Sequence, residues 1–187
     1  METATAVLRK EHEAIVKMLA VTEEVARRLA AGEHVAAETL ADLLEFFRLF
    51  ADKCHHGKEE DLLFPQLEKK GMPRAGGPLA VTLAEHEQGR ALIRQMAQAA
   101  DTYSRQPEKA GPAWAEAARA YASLLRAHIE KENHVLFVMA ERMLTPSEQA
   151  ELAEGFEKIE VEKMGAGTHE RLHAMMADLI KEILPPR

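Results

Sequence analysis

The chain carries an internal repeat, and the repeat limits what it can fold into. Residues 7–19 and 81–93 both open with Val, and each holds Glu-His-Glu, at Glu11-His12-Glu13 and Glu85-His86-Glu87. Residues 55–64 and 128–137 share the string His-x-x-Lys-Glu-x-x-x-Leu-Phe. Each half therefore supplies a lone His and then, roughly forty residues on, a His-x-x-x-Glu pair. Two copies of one plan call for two equivalent units packed against each other.

Within each unit the apolar residues recur at three and four rather than at two, which is the helical period. Ala, Leu, Glu, Met and Arg dominate, and these residues lose little on entering a helix. Breakers divide the chain into helices over about residues 3–31, 36–70, 79–103, 113–144, 146–163 and 168–184. Gly32 closes the first. Gly71 to Pro78 separates the second from the third, and Pro107, Gly111 and Pro112 separate the third from the fourth. Thr145-Pro146-Ser147-Glu148 has the form of a capped helix start. Gly165-Ala166-Gly167 breaks the fifth helix, Thr168 is expected to cap the sixth, and Pro185-Pro186 follows it. Four long helices with short connections predict an all-α, up-down-up-down four-helix bundle over residues 1–144. Residues 145–187 are expected to form a C-terminal helical extension packed on the same domain.

Residues four apart share a helical face. The second helix then presents Leu44, Phe47, Ala51, His55, Glu59 and Leu62 inward, and the fourth Tyr121, Leu124, His128, Glu132, Val135 and Met139. His12 aligns with Leu8, Ile15, Val16 and Leu19, and His86 with Leu79, Thr82 and Ile93. A buried carboxylate beside an imidazole is costly unless both are satisfied, and a coordinated cation satisfies both. One such His is ordinarily a packed core residue. Four of them, one per helix, with two i,i+4 Glu partners, predict a site for two metal ions held by His12, His55, Glu59, His86, His128 and Glu132. Imidazole and carboxylate without thiolate suit iron, manganese or zinc, and Glu59 and Glu132 are the natural bridges.

The net charge of −7 and the lack of a basic patch argue against nucleic acid as a partner. No stretch approaches the length of a membrane span. Cys54 is the sole cysteine, so no internal disulfide forms, and the first residues lack the pattern of a secretory signal. A reducing cytoplasm is the expected location.

His55-His56-Gly57-Lys58-Glu59-Glu60-Asp61-Leu62-Leu63-Phe64-Pro65 resembles the signature of the hemerythrin-like, or HHE cation-binding, family. The second copy, from His128 to Phe137, keeps His, Glu and Leu-Phe but has Val138 in place of Pro. The resemblance spans about residues 5–144. It implies a non-heme di-iron centre bridged by carboxylates and by an oxo or hydroxo group, with a diatomic molecule or peroxide as ligand. One departure stands out. Oxygen-carrying members have a further His four residues after the counterpart of His86, and here that residue is Arg90. The missing imidazole makes simple oxygen carriage a poor expectation. It leaves His56 and His169 as candidate extra ligands, and Arg90 as a partner for a ligand carboxylate or an anion. Helical spacing puts His56 about 100° round from His55, toward solvent, and His169 is expected chiefly to pack.

His169-Glu170-Arg171-Leu172-His173 is also a literal zinc-hydrolase string, in which two His would bind zinc and Glu170 would activate water. It lacks a convincing third ligand. Cys54, His34, His134, Tyr103 and Trp114 are expected to be structural or surface residues, and the nine Met core filler. With no general acid or substrate pocket legible, the sequence favours binding or sensing of iron, oxygen or nitric oxide. A redox enzyme acting on peroxide or nitric oxide is the alternative.

Overall fold

The computed structural model describes residues 2–165 and 167–184. It contains six helices and, among the described residues, no strand. Helix α1 is Ala4–Ala30, with the Thr3 side chain accepting from the Ala6 N–H at its start. Helix α2 covers residues 37–69, α3 is Pro78–Tyr103, and α4 covers residues 107–143. Helices α5, Pro146–Met164, and α6, Thr168–Ile183, follow. A left-handed Gly32 ends α1, with Gly32 N–H donating to Leu29 O and Glu33 N–H to Arg28 O, which is the Schellman pattern.

Helices α1 to α4 form an up-down-up-down ring in which α1 and α3 each neighbour α2 and α4. Helix α5 packs along α1 and α2, and α6 lies on α1 and α2. The Thr145–Glu148 capping box forms as its sequence predicts. Two details differ from expectation. Helix α4 begins at Pro107, six residues early, and runs through Pro112. Its first residues face solvent, where the carbonyl that Pro112 leaves without a donor can be hydrated. Thr168 is the first residue of α6 rather than its cap, and its hydroxyl donates back to Met164 O. Pro185 and Pro186 lie outside the described residues.

Helices α2 and α4 are not uniformly α-helical. Phe47–His56 and Glu59–Leu63 in α2, and Glu132–Leu136 in α4, are wide π-type turns with i→i+5 bonds, such as Gly57 N–H to Asp52 O and Phe137 N–H to Glu132 O. Leu63 and Leu136, four residues after Glu59 and Glu132, are buried, while Leu62 is half-buried and Val135 is 48% exposed, the reverse of the sequence expectation. The π turns occur at the His-x-x-x-Glu pairs of both halves, and such irregularities are common at functional sites.

Two apolar clusters fill the bundle. One holds Ile15, Met18, Phe47, Ala51, Ile93, Tyr121 and Leu125, and the other holds Leu8, Leu63, Phe64, Leu79, Leu136 and Phe137. On α1, α2 and α3 the His and Glu residues of the repeat sit between the two along the chain, and on α4 Glu132 does, with His128 beside Ile129 at the edge of the first. The structure is thus a polar layer enclosed above and below by hydrocarbon.

Candidate metal centre

The polar layer contains His12, His55, His56, Glu59, His86, His128 and Glu132, none more than 4% exposed. Their donor atoms fall into two groups. His12, His55, Glu59 and Glu132 form one, and His56, His86 and His128 form the other, with the atoms in each group within 4.8 Å of one another. The six residues expected from sequence are brought together. His56 joins them, which corrects the expectation that it faces solvent. The wide turn rotates less per residue than an α-helix, so His55 and His56 both point inward. His56 stacks on His86 with ring centroids 3.8 Å apart.

Both carboxylates reach both groups. Glu59 lies 3.6 Å from His55 Nε2 and 3.4 Å from His86 Nε2. Glu132 Oε2 lies 3.1 Å from His12 Nε2 and 3.2 Å from His128 Nε2. These gaps approximate those between neighbouring donors around one ion with bonds of about 2.1 Å.

The tautomers follow from the partners of the other ring nitrogens. His55 Nδ1–H donates to Glu11 at 2.9 Å, and His128 Nδ1–H to Glu85 at 3.0 Å. His86 donates to Glu60 at 2.6 Å, His12 to Asn133 Oδ1 at 2.9 Å, and His56 to Asp52 at 3.3 Å. An ionised carboxylate only accepts, so each Nδ1 carries the proton and each Nε2 turns a lone pair inward. His86 Nε2 and His128 Nε2 therefore face each other at 3.2 Å as two acceptors. That contact is repulsive unless a cation lies between them.

Six buried atoms of the layer have no hydrogen-bond partner: His12 Nε2, His55 Nε2 and both oxygens of Glu59 and of Glu132. The one other such side-chain atom among the described residues is Trp114 Nε1, in the apolar core. Unpartnered buried polar atoms are expensive, and here they converge on two points. Burial and the facing Glu132 push Glu59 well above the usual carboxylate range. Burial, with His12 alongside, pushes His55 down to about 4, and burial with His86 alongside pushes His56 well below its ordinary value. Without a cation the layer is poorly satisfied. The donor set fits metal cations of the iron, manganese and zinc type.

The remaining letters of the repeat surround the ligands. Lys58 is buried and donates to Glu11 and, at 3.2 Å, to Glu160 of α5, and Lys131 donates in the same way to Glu85. Phe137 stacks on His12 and Phe64 on His86, each covering the lone His of the other half. Glu60 and Asn133, each directly after a Glu ligand, orient the lone His of the other half. None of these roles was assigned from sequence, although the duplicated Glu-His-Glu and His-x-x-Lys-Glu strings contained the signal.

Arg90 donates to Glu60 and Asp52, both at 2.7 Å, and to Glu87. It pairs with the carboxylates that aim His86 and His56 rather than with a ligand. Cys54 is buried on the other side of the helix, near Glu11 and Glu160, where Lys58 already supplies the positive charge. His169 lies outside both ligand groups, 3.6 Å from Glu160 and beside Phe50. Its Nε2 is 3.2 Å from that of His173, and no third ligand-type atom joins the pair among the described residues. The zinc-hydrolase string thus lacks the site its chemistry requires.

Fold and site together define a helical bundle built to hold metal cations. The chain belongs to the hemerythrin HHE cation-binding domain family, whose pattern it matches over residues 3–140. It is also similar to three uncharacterized proteins, Mb2018 of Mycobacterium bovis and Rv1995 and MT2051 of Mycobacterium tuberculosis. Each is 26% identical over 181 residues, covering 97% of this chain and 70% of the relative. No solved structure matches.

Proposed function

We propose that the protein binds two iron ions between its four bundle helices and acts as a cytoplasmic binding or sensing protein for iron, oxygen, nitric oxide or peroxide. The observation that carries this reading is the convergence of unpartnered Nε2 and carboxylate atoms in the polar layer. His12, His55, Glu59 and Glu132 would hold one ion, and His56, His86 and His128 the other, with Glu59 and Glu132 spanning both. Bound iron would supply reversible redox chemistry and a coordination position for a small ligand.

The chain's own residues fix the conditions for that chemistry. The Nδ1 hydrogen bonds lock every imidazole in its ligating tautomer and raise its basicity. The apolar clusters exclude bulk water from both ends of the layer. Among the described residues, no helix is long and apolar enough to cross a membrane.

Metal analysis of protein made in iron-replete cells, with visible spectra of oxidised and reduced forms, tests the reading. Two irons per chain and an oxidised-state absorption that bleaches on reduction are expected. Unchanged metal content after replacing His55 and His128 together by Leu would overturn it. One stoichiometric spectral change on adding oxygen, nitric oxide or peroxide supports binding. Sustained consumption of peroxide or nitric oxide would make the protein a redox enzyme instead.

A further inference from the structure

The buried ammonium of Lys58 lies between two carboxylates. It donates to Glu11 Oε1 and, at 3.2 Å, to Glu160 Oε2 of α5. The other oxygen of Glu11 accepts from His55 Nδ1–H at 2.9 Å. A chain of three bonds therefore runs from α5 to an imidazole of the polar layer. Cys54 adjoins it as a neutral thiol, and His169 faces the other oxygen of Glu160 at 3.6 Å.

The second copy of the repeat has no such chain. Lys131 donates to Glu85, which accepts from His128 Nδ1–H at 3.0 Å. The Lys131 side chain is 47% exposed, and among the described residues it pairs with no second carboxylate. The difference is made by α5, which covers only the first copy. Gly155 gives up helix propensity in the middle of α5. A Cβ there would come 2.8 Å from Leu62, so the glycine lets α5 settle against α2 just beyond Lys58. The Phe156 ring lies 6.0 Å from the ammonium. Glu160 lies beyond residues 3–140, which carry the family pattern.

We propose that Glu160 is a positioning residue for the ion held by His12 and His55. By sharing the charge of Lys58 it leaves Glu11 the stronger acceptor for the His55 Nδ1–H, which makes His55 the more basic ligand. Helix α5 thereby sets the affinity and potential of one ion and not of the other. The inference rests on the metal-centre reading.

Glu160→Gln keeps the shape of the side chain and an acceptor for Lys58, and removes the charge. Lys58 then falls wholly to Glu11. Loss of the direct partner of a ligating His weakens metal by about 10- to 100-fold, and loss of a group two bonds further back should weaken one of the two binding steps by roughly threefold to tenfold. The more highly charged oxidised ion loses more, so one of the two iron couples should rise by about 30–60 mV, which is the same factor for one electron. Zinc titration against a chelator reads the first effect, and spectroelectrochemistry of the iron-loaded protein the second. Glu157→Gln, the same charge change at an exposed residue of α5, should leave both readouts as in wild type. Unchanged affinity and potentials in Glu160→Gln, equal shifts of both ions, or the same shifts in Glu157→Gln would each overturn this inference alone. A wild-type protein that takes up no metal would sink the metal-centre reading and this inference together.

Discussion

Glu11 and His55 share a buried hydrogen bond of 2.9 Å, and through it α1 sets the direction in which α2 aims an imidazole into the polar layer. The same relationship recurs between Glu85 and His128 at 3.0 Å. The two copies differ in their surroundings. Lys58, which neutralises Glu11, is 1% exposed, whereas the side chain of Lys131, which neutralises Glu85, is 47% exposed. Burial raises the Glu11 carboxyl, but its bonds to His55 and Lys58 outweigh that and hold it below the usual range.

Equivalent substitutions in the two halves should therefore act alike on metal and differently on stability. Glu11→Gln and Glu85→Gln should each weaken metal binding by about 10- to 100-fold, as loss of a partner behind a ligating His does. Glu11→Gln should also destabilise the metal-free fold by roughly 3 kcal/mol, because it deprives a buried ammonium of a counter-charge. Glu85→Gln, beside an exposed lysine, should cost within about 1 kcal/mol. Chelator competition reads the first effect and urea unfolding the second. Equal stability losses would show that burial of Lys58 does not matter.

The four-helix plan and six of the residues that meet in the polar layer were legible because periodicity and duplication both survive in one dimension. The phase of the helices beyond those residues was not. The stripe was carried three residues on from Glu59 and Glu132, to Leu62 and Val135, although four residues on, at Leu63 and Leu136, lies nearer the same face. His56 was misplaced because an i→i+5 turn widens the inward face without altering which residues are apolar. Leu136→Ala should then cost about 2–5 kcal/mol, as for a buried leucine, while Val135→Ala should stay within about 0.5 kcal/mol. Denaturant unfolding of both variants checks the phase, and the reverse ranking would put Val135 rather than Leu136 on the inward face.

Arg90 occupies the position where oxygen-carrying relatives are expected to have a ligand, yet it holds Asp52 and Glu60, which orient His56 and His86. Removing it loosens one half of the layer and leaves His12 and His55 in place. Arg90→Ala should retain the first ion at close to wild-type affinity and bind the second about tenfold or more weakly. Metal titration with analysis of bound stoichiometry distinguishes the steps. Parallel loss of both ions would argue that Arg90 supports the bundle as a whole rather than this half.

Cys54 precedes a ligand in sequence but faces away from the layer, against Glu11 and Lys58. Burial pushes its thiol from an ordinary value of 9.0 up to about 12, and the neighbouring Lys58 opposes the shift without cancelling it. The thiolate is the reactive form, so the fraction available at about pH 8 falls from roughly one in ten to one in ten thousand. Alkylation of the native protein at that pH should run about a thousandfold slower than in denaturant. Its rate should keep climbing tenfold per pH unit where a free thiol would level off near its own pKa. The sign for stability follows from the same shift. A folded-state pKa above the unfolded one favours the native state below about pH 9, and that contribution fades as pH rises toward about 12. Mass spectrometry of iodoacetamide-treated protein reads the modification directly. Rapid labelling of the folded chain near neutral pH would mean that Cys54 is accessible and ionised, contrary to its place between α1 and α5.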